Sequence, residues 1–128
     1  MDAPATPGEW GYRRSQSRSV AFFELADPRD GGMGLTCSFG SGAIMLGVFA
    51  APDNQTPQVR IRTETAEREF VARPGGGAAD RLVFIPANDP ILDAMALSKG
   101  RFALEVEGTP PLYLPSHAEV SRVIEDCR

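Results

Sequence analysis

Two cysteines are the residues in this chain whose type and position most clearly suggest covalent chemistry. Cys37 lies in the stretch GLTCSFGSGAIML, residues 34–46, and Cys127 stands one residue before the end of the sequence. The two-residue period of a strand puts Cys37 on the same face as Leu35, and Cys127 falls on the apolar side of a predicted helix. We therefore expect both thiols to point towards the same interior.

A bond between these thiols would close a loop of about 90 residues, which is worth roughly 4 to 5 kcal/mol in the chain-entropy model. The alternative is two buried free thiols that pack as small apolar residues, which is common inside cells. A redox pair is disfavoured because there is no C-x-x-C motif, and two cysteines with one histidine cannot supply the four ligands of structural zinc. The sequence favours a Cys37–Cys127 disulfide and predicts no metal site.

The single histidine, His117, would have to serve in any Ser-His-Asp or Cys-His mechanism within one chain. It lies in the first turn of a predicted helix, where the helix dipole disfavours the imidazolium, so an exposed structural role is the simpler interpretation. Ser41 lacks the G-x-S-x-G pattern because Phe39 stands two residues before it. The sequence favours a non-enzymatic protein, and a small hydrolase that uses His117 or an unrecognised pair of carboxylates is the alternative.

No glycine-rich segment has the setting of a phosphate-binding loop. GSG at 40–42 and GGG at 75–77 do not join a predicted strand to a predicted helix, and no lysine follows them in P-loop spacing. We therefore predict no cofactor site.

Three arginines form the other candidate site, a possible binding face for another protein. Arg60 and Arg62 alternate with Val59 and Ile61 in PQVRIRTET, the pattern of a half-buried strand. If residues 57–64 and 67–73 pair as a hairpin, Arg68 would extend these two arginines into a basic strip. The alternative is a solvated sheet face with charge pairs across the strands, formed with the neighbouring glutamates.

These candidate residues must be positioned by short strands, and turns separate the strands from one another. Segments 43–50 and 81–87 are apolar on both faces, which predicts central strands packed on two sides. Glycines at 39–43 predict a hairpin that joins residues 33–39 to 43–50. The predicted strands are residues 18–25, 33–39, 43–50, 57–64, 67–73, 81–87, 101–108 and 111–114.

Two helices have clear start signals. Asp89 can cap the first helix and Pro90 suits its first position, while Ser116 and Glu119 have the spacing of a capping box for the second. The predicted helices are residues 89–99 and 117–127. Together these elements predict one α+β domain, mainly β, with an antiparallel sheet or β-sandwich of about seven or eight strands. We expect residues 1–8 to be a flexible tail and residues 9–128 to be the globular domain.

Composition disfavours two classes of partner. The 128-residue chain has a net charge of −4, and its 13 basic residues, of which Lys99 is the only lysine, are scattered. Such a surface would repel a phosphate backbone, so we predict no binding to nucleic acid. No apolar run approaches the roughly 20 residues that a membrane-spanning helix needs, so we predict no transmembrane segment.

The first residues, MDAPATPGEW, lack the basic start and apolar stretch of a signal peptide. They have the small, proline-rich character of the beginning of a mature exported protein, with Met1 either native or added. A natural start with a frayed tail is the alternative.

The order of elements resembles that of a known family. Trp10 near the start, the strand LTC, QVRIRTE, a short helix, RFALEVEG, PLYLP and a closing helix ending VIEDCR follow one another. Over residues 10–128, chiefly at Leu35, Cys37, Arg62 and Cys127, this resembles the short exported domains of Gram-negative bacteria exemplified by the type VI secretion accessory protein VasI and related alphaproteobacterial periplasmic proteins. The resemblance implies a periplasmic, disulfide-linked, β-rich domain without known catalytic residues.

The leading hypothesis is therefore a non-enzymatic exported domain that binds a protein or assists assembly of the cell envelope. A cytoplasmic accessory protein with reduced thiols is a further alternative besides the hydrolase. The sequence does not define the oligomeric state, because an open sheet edge could equally be a dimer interface.

Overall fold

Ten strands and two helices make up the part of the chain that the computed structural model describes, residues 3–27, 31–77 and 80–128. The strands are β1 (Gly8–Arg14), β2 (Arg18–Leu25), β3 (Gly32–Ser38), β4 (Ala43–Phe49), β5 (Gln58–Arg62), β6 (Glu67–Val71), β7 (Arg73–Pro74), β8 (Asp80–Pro86), β9 (Arg101–Val106) and β10 (Leu112–Pro115). The helices are α1 (Pro90–Ala96) and α2 (Ala118–Asp126). The mainly β, α+β class predicted from the sequence is confirmed.

The strands form two antiparallel sheets. The six-stranded sheet has the order β1-β2-β3-β4-β8-β7, and the four-stranded sheet has the order β10-β9-β5-β6. The predicted β3–β4 and β5–β6 hairpins are both present. The chain passes from one sheet to the other at Ala72, so the strand predicted over 67–73 is divided into β6 and β7.

Both sheets contribute their inner faces to one hydrophobic core. Along β2, β3, β4 and β8 buried residues alternate with exposed or half-buried ones, as a half-covered antiparallel sheet requires. The inner face of the six-stranded sheet supplies Phe23, Leu35, Ile44, Leu46 and Ile85, and the four-stranded sheet supplies Val59, Ile61, Phe102, Leu104 and Leu114.

Helix α2 covers the end of this core against β2 and β3, and it also contacts α1. Its buried residues are Val120, Val123 and Ile124, the apolar stripe that the sequence predicted. Within the described part of the chain, neither helix has the length and apolar character needed to cross a membrane.

The two helix starts differ from each other. The carboxylate of Asp89 accepts a hydrogen bond from the Ile91 amide, so the predicted cap of α1 is confirmed. The predicted capping box of α2 is wrong, because His117 is the N-cap residue and makes no side-chain capping bond. The hydroxyl of Ser116 instead donates to the carbonyl oxygen of Met95 at 2.5 Å, where it satisfies an acceptor near the end of α1.

The beginning of the chain connects the two sheets. The amide of Thr6 donates to the carbonyl of Tyr113 in β10 at 2.9 Å, and the indole of Trp10 in β1 donates to Pro115 at 2.7 Å. Strand β1 was not predicted, and it begins at Gly8, within the predicted tail. Its pattern lacks a clean alternation of buried and exposed residues, which removes the usual sequence signal of a strand.

Candidate interaction surface

Cys37 and Cys127 form a disulfide across 90 positions of the sequence, with their Cα atoms 5.6 Å apart. Cys37 lies on the buried face of β3, and Cys127 is the C-cap residue of α2. The alternation of β3 and the apolar stripe of α2 bring the two sulfur atoms together, as the sequence predicted. The bond fastens the closing helix to the middle of the six-stranded sheet.

A polar cluster beside the disulfide was not anticipated from the sequence. The carboxylate of Asp126 accepts hydrogen bonds from the Tyr12 hydroxyl at 2.5 Å and the Ser19 hydroxyl at 2.7 Å, and it pairs with the guanidinium of Arg14 at 2.8 Å. Burial raises the pKa of Asp126, but these hydrogen bonds and the positive charge outweigh burial and hold its pKa below the ordinary 3.8. The cluster joins β1, β2 and the end of α2.

Arg60 and Arg62 lie together on the outer face of the four-stranded sheet. Arg60 pairs with Glu69 at 2.6 Å, and Arg62 pairs with Glu105 at 3.1 Å. The hydrogen bond to Glu69 raises the pKa of Arg60 above its ordinary value. These contacts match the alternative of a solvated face with charge pairs across the strands.

Arg68 does not join these arginines. In the β5–β6 register it stands opposite Ile61, while Arg60 stands opposite Glu69, so Arg68 lies on the other face of the sheet. There its guanidinium pairs with the buried carboxylate of Asp89 at 2.5 Å. The hairpin was predicted correctly, but its pairing register separates the predicted strip into two sites. A binding role for the three arginines stays a prediction.

The other sequence candidates have ordinary structural surroundings. His117 is exposed at the start of α2, and Ser41 donates to the carbonyl of Ala43 within the β3–β4 turn. Among residues 3–27, 31–77 and 80–128, no three His, Cys, Asp or Glu side chains are grouped so that they could hold a metal ion.

The outer face of the six-stranded sheet carries two phenylalanines that are about half exposed. Phe49 in β4 is 46% exposed and Phe84 in β8 is 48% exposed. These strands were predicted to pack on two sides, but only their inner faces are buried. We call this surface the outer apolar face; its half-buried members are Val20, Phe22, Met45 and Leu82.

A trough crosses the middle of the outer apolar face. Gly34 of β3 stands directly opposite Gly47 of β4, with Phe22 next in register on one side and Leu82 on the other. Neighbouring strands lie about 4.8 Å apart, so the Phe22 and Leu82 backbones are about 14 Å apart across the two glycines. The depression over this row has a volume of about 540 Å³.

The backbone conformation does not require glycine at either of these two positions. Neither Gly34 nor Gly47 has a positive φ. A Cβ atom at Gly34 would come no closer than 3.8 Å to the Ala21 carbonyl oxygen, and one at Gly47 would lie 4.0 Å from Leu82. Glycine within a strand costs roughly 0.5–1 kcal/mol relative to alanine, so these two positions give up stability without a steric reason.

The aromatic rings of Phe22 and Phe49, which help to line the trough, lie over glycines other than Gly34 and Gly47. A Cβ atom at Gly11 would meet the Phe22 ring at 2.3 Å, and one at Gly31 would meet the Phe49 ring at 2.9 Å. Both rings therefore lie over neighbouring glycines and leave Gly34 open. Isolated glycines within the strand patterns of GMGLTC and IMLGVF are the sequence signal that could have identified this surface.

Arginines border the outer apolar face on two sides. The guanidinium of Arg13 in β1 lies 5.2 Å from the centre of the Phe22 ring, and that of Arg73 in β7 lies 5.1 Å from the centre of the Phe84 ring. Both distances are within the range of cation–π contacts. The face therefore combines an apolar floor with arginines at two edges, while the carboxyl residues Glu24 and Asp80 line the depression itself.

Comparison of the chain with protein-family models, curated proteins and solved structures found no match.

Proposed function

We propose that this chain is a non-enzymatic domain that works in the periplasm or another exported compartment, where it binds another protein as an accessory in envelope assembly. The observation that carries the proposal is the outer apolar face. Contiguous apolar surface on a folded domain is typical of protein-binding sites, and aromatic side chains dominate the energy of many such interfaces.

Apolar side chains on the solvent side of β4 and β8 are the reason to propose that a partner binds this face. Strands β4 and β8 place Met45 and Phe49, and Leu82 and Phe84, on the side that faces away from the core. Polar residues are usual on the solvent side of an antiparallel sheet. A partner that covers this side would complete the two-sided packing that the sequence pattern of these strands favours.

The disulfide supports the compartment. Disulfides persist in oxidising environments and are rare where cytosolic reductants keep thiols reduced. The Cys37–Cys127 bond is compatible with an exported protein, and the resemblance to VasI-like periplasmic domains adds to the same proposal.

Photo-cross-linking in the cells that make the protein tests the binding role. A benzoyl-phenylalanine in place of Phe84 should give a discrete adduct with another protein. The same group in place of Leu97, which is 80% exposed away from this face, is the matched control and should give none. Equal labelling from both positions, or none from either, would contradict a binding role for the face.

Thiol labelling tests the compartment separately. Protein taken directly from its native compartment and denatured without reductant should contain no free thiol. Two free thiols would refute the exported location and favour the cytoplasmic alternative, whatever the result of the cross-linking.

A further inference from the structure

We propose that two copies of this chain associate through the open edge of β1, paired antiparallel so that Gly11 of one copy stands opposite Gly11 of the other. The pairing joins the two six-stranded sheets into one continuous sheet across a two-fold axis. It is carried by the backbone groups that β1 leaves unpaired and by the positions of Glu9 and Arg13. The inference goes beyond the proposed function and does not depend on it.

The outer edge of β1 carries backbone groups that lack partners in the described part of the chain. Strand β1 pairs with β2 alone. The Ser15 amide donates to the Arg18 carbonyl at 2.8 Å, so the odd-numbered residues of this segment bond towards β2. Backbone groups alternate in direction along a strand, so the even-numbered residues point to the open side. They are Gly8, Trp10, Tyr12 and Arg14.

The segment before β1 runs along the other sheet. Its Thr6 amide donates to the carbonyl of Tyr113 in β10, and the Arg101 guanidinium donates to the carbonyl of Ala3. Residues 3–6 therefore lie beside the four-stranded sheet instead of along β1. An edge strand with a row of unpaired amide and carbonyl groups is a template for pairing with another chain.

An antiparallel register centred on Gly11 fits this edge to itself. Trp10 of one copy then stands opposite Tyr12 of the other, and Gly8 in the same way stands opposite Arg14. Every pair that exchanges backbone hydrogen bonds thus consists of two residues whose backbone groups point outward. Trp10 and Tyr12 are both half-buried, and aromatic pairs across strands stabilise a sheet.

The same register brings opposite charges together on the outer side of the new sheet. Glu9 and Arg13 flank Gly11 symmetrically, so each Glu9 stands opposite Arg13 of the other copy. These are non-hydrogen-bonded pairs, in which side chains approach most closely. A shift of the register towards either end sets Glu9 or Arg13 opposite Gly11 and loses both charge pairs. The two charge pairs therefore fix the register.

Glu9 lies where a cation from a second copy would offset an existing repulsion. It stands opposite Glu24 in the β1–β2 register, and like charges directly opposite each other are unfavourable. Both side chains are exposed, and neither forms an ion pair within residues 3–27, 31–77 and 80–128. Arg13 of a second copy would bring its guanidinium beside Glu9. The charge pattern of β1 and β2 thus favours a second copy of the same edge as the partner.

The other sheet edges match a second copy less well. Strand β7 has two residues, and one of them is Pro74, which has no amide proton to donate. On β6 a pairing centred on the middle residue would set Glu69 opposite Glu69. On β10 the outward backbone of Tyr113 is already bonded to Thr6. These contacts leave β1 as the edge that complements itself.

Charge reversals across the two-fold axis test the register. The native chain should show a concentration-dependent dimer in sedimentation velocity. Glu9→Arg alone and Arg13→Glu alone each turn both opposite-charge pairs into like-charge pairs, so each should raise the dimer Kd by at least about 10-fold at low salt. An equimolar mixture of the two variants restores opposite charges at both pairs and should form heterodimers. Lys99→Glu, at an exposed position outside β1, is the control and should leave the Kd unchanged.

Amide hydrogen exchange tests the edge itself. As the protein concentration rises, exchange of the Trp10 and Tyr12 amides should slow, because these amides become hydrogen-bonded in the dimer. The Glu69 amide, which points away from β5 at the edge of β6, is the matched control and should not change.

Three results would overturn the proposal. The first is a native chain that stays monomeric at every concentration. The second is a mixture of the Glu9→Arg and Arg13→Glu variants that associates no better than either variant alone. The third is a dimer that Phe84→Ser dissociates and the charge variants leave intact, which would assign the contact to the outer apolar face. The Tm of each variant, expected near that of the native chain because both side chains are exposed, separates loss of association from loss of folding.

Discussion

The hydroxyl of Tyr12 donates a 2.5 Å hydrogen bond to the carboxylate of Asp126, joining residues that lie 114 positions apart in the sequence. The same carboxylate accepts from the buried Ser19 hydroxyl. The contact places the first strand, the second strand and the closing helix in one polar cluster. Loss of the carboxylate would therefore loosen both ends of the chain at once.

We expect Asp126→Ala to lower the free energy of unfolding by about 2 kcal/mol, because it removes hydrogen bonds to a charged group and leaves the buried Ser19 hydroxyl without its acceptor. Urea unfolding followed by tryptophan fluorescence measures the change. Glu125→Ala, at the neighbouring exposed position, is the control and should change stability little. A loss no larger than that of the control would mean that the cluster does not stabilise the fold.

The pH dependence of this cluster has a definite sign. The folded-state pKa of Asp126 lies below its ordinary value of 3.8, so the carboxylate contributes its full stabilisation above about pH 4 and loses it as the pH falls through the folded pKa. The difference in unfolding free energy between the native chain and Asp126→Asn should be constant near neutral pH and should shrink below pH 3.8. A difference that grows as the pH falls would contradict the assignment.

The disulfide should account for a large share of stability. Replacing both Cys37 and Cys127 with alanine is expected to lower the free energy of unfolding by about 4 kcal/mol, the chain-entropy value for a loop of this length. Each single substitution should cost about as much as the double one, because either removes the bond. Additive costs of the two single substitutions would show that the cysteines act as independent core residues. In the variant without the disulfide, amide hydrogen exchange should accelerate more in α2, which the bond fastens to the six-stranded sheet, than in the other elements.

Buried Arg81 is expected to be a structural cation. Its guanidinium donates to the carbonyl oxygens of Asn54 at 2.8 Å and Asp80 at 2.7 Å, and the residue is 1% exposed. Arg81→Met should lower the free energy of unfolding by about 2–3 kcal/mol because the carbonyl groups lose the charge-assisted hydrogen bonds that this buried guanidinium donates. Arg122→Met, which removes only an exposed guanidinium over the Tyr12 ring, should cost less than about 1 kcal/mol. Thermal unfolding of the two variants makes the comparison, and equal costs would contradict the role of Arg81.

The sequence predicted the features that depend on local periodicity. Alternation in β3 and the apolar stripe of α2 were enough to place Cys37 and Cys127 in one interior, and the Asp-Pro pair marked the start of α1. Features that depend on pairing register were less accessible. In the observed β5–β6 register Arg68 stands opposite Ile61. A shift of one residue in this pairing would place Arg68 on the other face of the sheet.

The sequence indicated the apolar character of the outer face but not the trough, and the reason again lies in strand pairing. Apolar residues on both faces of β4 and β8 predicted two covered faces, but the structure buries only the inner one. Periodicity does not reveal whether the second face is covered by the same chain or by another one. The row of Phe22, Gly34, Gly47 and Leu82 exists only after four strands are paired, so the trough belongs to the tertiary structure.

Asp89 combines a helix cap with an ion pair, and the two roles are separable. Its Oδ1 accepts from the Ile91 amide at 2.9 Å, while its Oδ2 pairs with Arg68 at 2.5 Å. Asp89→Asn keeps an acceptor for the cap and removes the charge, whereas Asp89→Ala removes both. We expect Asp89→Ala to lower the free energy of unfolding by about 1 kcal/mol more than Asp89→Asn does, because about 1 kcal/mol is the usual contribution of an N-cap.

A double-mutant cycle with Arg68→Gln tests the ion pair. In the Arg68→Gln background, Asp89→Asn should lower the free energy of unfolding by less than it does in the native chain, because the pair is already broken. Full additivity would mean that Arg68 contributes nothing through Asp89, and equal costs of alanine and asparagine would mean that the cap contributes nothing to α1.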